Sequence, residues 1–118
     1  MMFTTVGSAL VLVTAVANVG FAVADFVRAE FVLATSAEVR VPTSWLPVLG
    51  GLKLAGALGL LAGLVGVPVV GPAAATGLTL FFVGAVVRHL QTRVLHTIAF
   101  PATVLLACAL SLVVTLRP

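Results

Sequence analysis

Four long apolar runs, parted by short polar breaks, organise this chain. The first starts at Phe3 and meets no charge before Asp25, with Asn18 its one strongly polar side chain. The second runs from Leu46 to Val67 around a single charge, Lys53. The third starts at Pro72 and stays uncharged up to Arg88 and His89, and the fourth, Val94 to Leu116, holds His96 near its start. A helix rises about 1.5 Å per residue and the hydrocarbon core is about 30 Å thick, so roughly 20 apolar residues make one crossing. No run alternates as a lumen-facing barrel strand does. The pattern predicts an all-α, integral membrane four-helix bundle, up-down-up-down, in one transmembrane domain over 1–118. Its helices cover residues 3–26, 46–67, 72–90 and 94–116, with an interfacial connection over 27–45.

The punctuation agrees. Gly66, Pro68, Gly71 and Pro72 make a tight hairpin, and Gln91-Thr92-Arg93 a short polar break. Ser44 is placed to N-cap the second helix, with Pro47 in its first turn and Trp45 at the interface. Ala22-Val23-Ala24 resembles a signal-peptidase site, but no basic region precedes Asp25 and the apolar run is too long for a leader, so the segment reads as a retained helix. Gly51, Ala55, Gly59 and Gly63, widened by Gly56, form a small-residue stripe; Ala73, Gly77 and Gly84-Ala85 form another. Such stripes serve packing within a bundle or a homodimer interface. Pro101 frees the carbonyl of Thr97 and predicts a kink near the start of the fourth helix.

Composition fixes the setting. The chain is 62% hydrophobic and 8% charged, far from the quarter charged that soluble domains carry. This excludes a soluble globule, a disordered tail and a disulfide-stapled domain, and makes the lipid bilayer the first partner. The net charge of +3 arises without any run of Lys or Arg, so no nucleic acid partner is expected.

Threading an up-down bundle gathers the charges. Asp25, Arg28, Glu30, Glu38, Arg40, Lys53, Arg88 and Arg93 fall toward one end, with both histidines, against Arg117 at the other. Ionisable groups inside a membrane persist when paired or facing a cavity. The expectation is a polar pocket at that mouth, with Asn18, Lys53, Arg88 and His96 binding a lipophilic small molecule and Asp25 and His89 as catalytic candidates. Each also has a plainer reading. Lys53 can snorkel to headgroups, Arg88 and Arg93 can be positive-inside anchors, His96 can be interfacial, and Asp25 can lock the bundle by pairing with Lys53 or Arg88.

Several chemistries are absent. Cys108 is the single cysteine, so the chain alone cannot exchange a disulfide, and no cysteine pair suggests zinc. His89 and His96, with a turn between them, are a weak metal or haem pair, and no metal is assigned.

Pro47, Gly50, Leu52-Lys53, Gly56-Ala57-Leu58-Gly59-Leu60-Leu61 and Gly63, then Pro72-Ala73-Ala74-Ala75, Gly77-Leu78, Phe81-Phe82-Val83-Gly84-Ala85-Val86 and His89-Leu90, resemble the DoxX-like family of small four-helix bacterial membrane proteins. The resemblance covers nearly the whole chain and is most specific from Pro47 to Leu90. Lys53 and His89 match motif positions. Family members often follow His-Leu with a basic residue; here Gln91 follows and Arg88 precedes. The resemblance implies an association with membrane oxidoreductase assemblies, including a thiosulfate:quinone oxidoreductase, and with oxidative stress.

The leading expectation is therefore a membrane subunit that binds a quinone-like molecule beside a membrane oxidoreductase partner. The alternatives are a stand-alone isomerase or hydrolase of a hydrophobic substrate, using Asp25 with Arg88 and His89, and a structural subunit without chemistry. The bias of basic residues puts the polar mouth on the cytoplasmic side of the bacterial inner membrane and the termini outside.

Overall fold

The computed structural model describes residues 5–116; Phe3 and Arg117 lie outside the described residues. The chain forms α1 (Thr5–Phe26), α2 (Glu30–Glu38), a 3-10 turn (Thr43–Trp45), α3 (Leu46–Leu64), α4 (Val70–Gln91) and α5 (Ala99–Leu116), with no strand among the described residues. Four of these helices are long and apolar enough to cross a membrane: α1, α3 with its preceding turn, α4 and α5. α1 packs on α3, α3 on α4, α4 on α5 and α5 back on α1, closing a ring of antiparallel neighbours. The described residues extend 42 Å along their long axis, the thickness of a bilayer with its headgroups, about 40–45 Å. The molecule is a multi-pass membrane protein, an up-down-up-down bundle.

Its interior is smaller and more polar than its exterior. Ala15, Ala22, Ala57, Ala75 and Cys108 are fully buried, and so are Asn18 and Ser111, with Thr14 and Thr115 nearly so. Leu12, Val13, Val16, Leu58, Leu80, Leu106 and Val113 point outward. In water this arrangement would expose large apolar patches; in lipid those side chains meet acyl chains and the small ones let backbones approach. The hydroxyls bond locally: Thr14 to the Leu10 carbonyl at 2.8 Å, and Ser111 to Thr14 across the α1–α5 seam at 3.2 Å.

Glycines set two of the helix contacts. A Cβ on Gly50 would stand 3.1 Å from the Asp25 Cβ and 3.2 Å from the Ala22 carbonyl oxygen, so α3 lies directly on α1 there. A Cβ on Gly59 would meet that of Ala74 at 2.6 Å, and one on Gly63 the Gly71 Cα at 2.9 Å, which brings α3 onto α4. The expected stripe is thus split. Gly59, Gly63 and Gly56 serve the α4 contact, whereas Gly51 has nothing within 4 Å and Ala55 is exposed. On α4, Gly71 and Ala75 face the core, while Ala73, Gly77 and Gly84 are exposed.

The helix ends explain where the sequence reading slips. α1, α2 and α4 each close with an arginine in the left-handed region, Arg28 (φ 53°), Arg40 (φ 57°) and Arg93 (φ 58°). After each, the next amide reaches back to a carbonyl inside the helix: Ala29 to Ala24, Val41 to Ser36 and Val94 to His89. This is the hydrogen-bond pattern of the Schellman close, usually built on glycine. Gly66 (φ 97°) plays that part for α3, at the opposite end of the bundle.

Because Arg93 turns the chain, residues 94–98 are not helical, with a turn at 96–98, and α5 starts at Ala99, later than Val94. Pro101 then occupies the first turn of α5, where its missing N–H breaks no hydrogen bond within the helix, so the reason for expecting a kink is gone. The Thr97 carbonyl accepts from the Phe100 amide at 3.2 Å. Ser44 lies inside the 3-10 turn, and α3 begins at Leu46 behind Trp45 with no side-chain cap. Pro47 is in its first turn as expected. The connection carries a helix of its own, α2.

Substituting Gly63 by Val forces a branched side chain against the α4 backbone and should cost about 1–3 kcal/mol. Gly51→Ala should change stability by less than about 0.5 kcal/mol. Thermal unfolding of both variants in detergent checks the contrast, and equal losses would remove the assigned role of Gly63.

Candidate functional site

The polar mouth is the end where α1 and α4 finish and α3 and α5 start. Each spanning helix buries one stripe, and on three of them an ionisable residue stands in it at the mouth. On α1 the buried positions Val11, Ala15, Asn18 and Ala22 lead to Asp25. On α3 Lys53 falls between Gly50 and Ala57. On α4 Ala75, Leu78 and Phe82 lead to His89. Spacings of three and four keep such residues on one helix face. Asp25, Lys53 and His89 therefore turn inward because the core pattern carries them there.

The close approach at Gly50 sets the first contact. Asp25 and Lys53 each lie three residues beyond the touching pair Ala22 and Gly50, and Lys53 Nζ donates to Asp25 Oδ2 at 2.8 Å. Their side chains retain only 14% and 4% exposure, Lys53 and Asp25 respectively. The ammonium also stands 5.2 Å from the centre of the Phe81 ring on α4, a cation–π distance. Lys53 thereby joins three helices.

Arg88 is committed elsewhere. Its Nε donates to the Val39 carbonyl at 2.8 Å and its Nη2 to the Arg40 carbonyl at 3.1 Å, with Gln91 Oε1 3.3 Å from Nη1. Those two carbonyls stand at the end of α2, where no further turn uses them. Arg88 thus pins the C-terminal end of α2 to α4. His96 and Glu38 add a second tie at 2.9 Å, both well exposed.

α2 packs on the 3-10 turn more than on the spanning helices, and beneath it lies a cavity of about 850 Å³. Phe31, Val32, Trp45, Leu49, Phe82 and Phe100 contribute apolar wall, and Asp25, Lys53, Arg88, His89 and Thr97 the polar part. Phe21 and Phe100 meet edge to face, centroids 5.0 Å apart, where α1 and α5 join it. His89 is buried, with Nδ1 2.8 Å from the Ala85 carbonyl. Its Nε2 and the Thr97 Oγ1 are buried and have no hydrogen-bond partner.

Of the six residues singled out from sequence, four line this cavity: Asp25, Lys53, Arg88 and His89. Asn18 does not. It is fully buried deeper in the bundle, its Nδ2 donating to the Thr14 carbonyl at 2.9 Å, beside a smaller void of about 200 Å³ between α1 and α5. His96 does not either, since the delayed start of α5 leaves it on the surface with Glu38. Sequence reasoning passed over Phe81, Trp45 and Thr97. Phe81 had a detectable signal, being eight residues, about two turns, before His89; the orphaned Thr97 hydroxyl had none. No group of three or more His, Cys, Asp or Glu residues that could hold a metal occurs among the described residues.

A family model described as the DoxX-like family matches residues 9–111. The chain belongs to that family. Neither a curated protein nor a solved structure matches the chain significantly. The match spans α1 through most of α5, so the DoxX-like region contains every residue that lines the mouth cavity.

Breaking the Asp25–Lys53 pair from one side leaves a buried charge unmatched. Asp25→Asn and Lys53→Met should each cost about 3–5 kcal/mol, and the double variant should cost less than either single. Thermal unfolding of the three variants reads this directly, and additive losses would mean that the two side chains act independently. Arg88→Met should free the end of α2 and raise amide hydrogen exchange at residues 36–41 by about tenfold, with exchange in α3 unchanged.

Proposed function

We propose that this DoxX-like protein binds a lipophilic, quinone-like molecule beneath α2, as the membrane subunit of a redox-linked assembly in the bacterial cytoplasmic membrane. The observation that carries this reading is the cavity of about 850 Å³, walled by aromatic and aliphatic side chains with a few polar groups gathered at the mouth. That volume and lining suit a drug-sized organic ligand. Rings stack among Phe31, Phe82 and Phe100, the head reaches Lys53 and His89, and a hydrocarbon tail leaves between helices into lipid.

Binding fits the polar groups better than catalysis does. The Asp25 carboxylate is held by Lys53 at 2.8 Å, and the Arg88 guanidinium is spent on the carbonyls of Val39 and Arg40. Neither is free to act as the acid or base that an isomerase or hydrolase needs. In this reading Asp25 and Arg88 hold the site's shape, and Lys53 and His89 meet the ligand. The redox link draws on what the family resemblance implies. A homodimer or an oxidoreductase partner would seat on the outward face of α4 at Gly77, which has nothing within 4 Å. Arg28, Arg40 and Arg93, exposed at the mouth, favour a cytoplasmic mouth with the termini outside.

The test is mass spectrometry of lipophilic compounds retained after gentle purification, paired with titration of added quinones. A quinone should co-purify near one per chain and be lost from the Lys53→Met and His89→Leu variants. A preparation that retains none and binds no added quinone would overturn the proposal.

A further inference from the structure

His89 carries a constraint on what the cavity accepts. Its Nδ1 lies 2.8 Å from the Ala85 carbonyl, one turn back on α4. A carbonyl oxygen only accepts, so Nδ1 must carry the hydrogen. In the neutral ring this leaves Nε2 as a bare acceptor lone pair. That atom is buried and has no partner, on a residue only 5% exposed that lines the cavity. An unmade hydrogen bond at a buried polar atom is costly, and such atoms are almost always satisfied.

The protein's own groups do not supply the missing donor. No protein group reaches Nε2: of the cations lining the cavity, Lys53 is held by Asp25, Arg88 by the end of α2, and Arg40 is exposed at the surface. Thr97 Oγ1, the other unpartnered polar atom on the cavity, donates or accepts and so does not discriminate between ligand heads. Cys108, Ser111 and Thr14 lie deeper and outside the cavity lining.

We infer that the cavity selects an amphiphile whose polar head is a hydroxyl, which donates to His89 Nε2: a lipophilic phenol or alcohol, or the hydroquinone form of a quinone. A head bearing only carbonyl or ether oxygens leaves Nε2 unmatched and binds more weakly. This rests on the cavity being a ligand site and adds which end of the hydrogen bond the ligand must bring. Proton position on one helix-anchored imidazole is the selecting feature, and the apolar wall supplies affinity for either head.

Trp45, the single tryptophan of the chain, lines the same cavity, so its emission reports occupancy. The experiment titrates the full chain in nanodiscs with a long-chain 4-alkylphenol and with its methyl ether, which differ in the donor hydrogen and one methyl. The phenol should bind about tenfold more tightly, the worth of one buried neutral hydrogen bond, and His89→Leu should bring the two together. Equal binding of both probes to the wild type would overturn this inference and leave the cavity reading standing. Binding of neither would overturn both. A second measurement does not depend on the variant folding: nitrogen-15 NMR of histidine-labelled His96→Gln protein, in which His89 is the remaining histidine. It should show Nδ1 protonated and Nε2 imine-like, with the Nε2 signal moving on addition of the phenol and not of the ether. A protonated Nε2 in the free protein would overturn the inference.

Discussion

The bundle is organised around the point where α3, bare of a side chain at Gly50, lies against α1. Gly50 makes that contact, since a Cβ there would sit 3.0 Å from the Phe26 ring and 3.2 Å from the Ala22 carbonyl oxygen. One turn on, Asp25 stands nearer the mouth on α1 and Lys53 one turn deeper on the antiparallel α3, and the backbone separation set by Gly50 is what lets them close to 2.8 Å. A buried ion pair gains little over an apolar pair of the same size, but losing one partner is expensive. In this chain it therefore specifies register: a shift of α3 along α1 would strand two charges in a low-dielectric interior. The same ammonium reaches Phe81, so the register of α4 is tied to the same point.

From that junction toward the opposite end, the interior changes character. Thr14, Asn18, Ser111 and Thr115 are buried without any charge, and their hydrogen bonds are to near carbonyls and to each other. Lipid gives helices no hydrophobic reason to associate, so close packing of small groups and a few seam hydrogen bonds do the work there. At the mouth the packing opens instead. Large side chains such as Phe31, Trp45, Phe82 and Phe100 border a space they do not fill, and α2 is held over it by its ends. The N-terminal end is fixed by the turn at Arg28, the C-terminal end by Arg88 and by the Glu38–His96 pair. The result is a short helix tied at both ends over a void that packing alone would have filled.

The spans were legible because a run of some twenty apolar residues has few alternatives in a chain this poor in charge. Asp25, Lys53 and His89 were legible for a related reason: an ionisable side chain at a core spacing stands out against Ala, Gly and Leu. What the sequence concealed were breaks made without the usual signals. Arg40 and Arg93 take left-handed conformations that glycine ordinarily marks, so the apolar letters from Val94 onward read as helix when residues 94–98 are not helical. His96 moved to the surface and Pro101 into a first turn for that one reason. Asn18 shares a face with Asp25 as its spacing indicates, yet it lies beyond the closed contact at Ala22, on the packed side of the junction. Periodicity gives a residue's face but not whether the neighbouring helix has sealed that face from the cavity.

How the charges at the mouth are spent also decides what kind of ligand the place suits. Lys53 is matched by Asp25, and Arg88 faces two carbonyls at a helix end whose dipole is negative. Arg28, Arg40 and Arg93 sit at helix ends with their side chains exposed. The charge left over at the cavity is basic, from Arg40 and Arg88, so a small cation would surrender its hydration there without a counter-charge to replace it. A ligand that is mostly hydrocarbon loses nothing comparable, gains the apolar wall, and needs one or two directional contacts to fix its head. Under the proposed reading, the polar groups that fix such a head are Lys53, held in place by Asp25, and the uncharged His89 and Thr97.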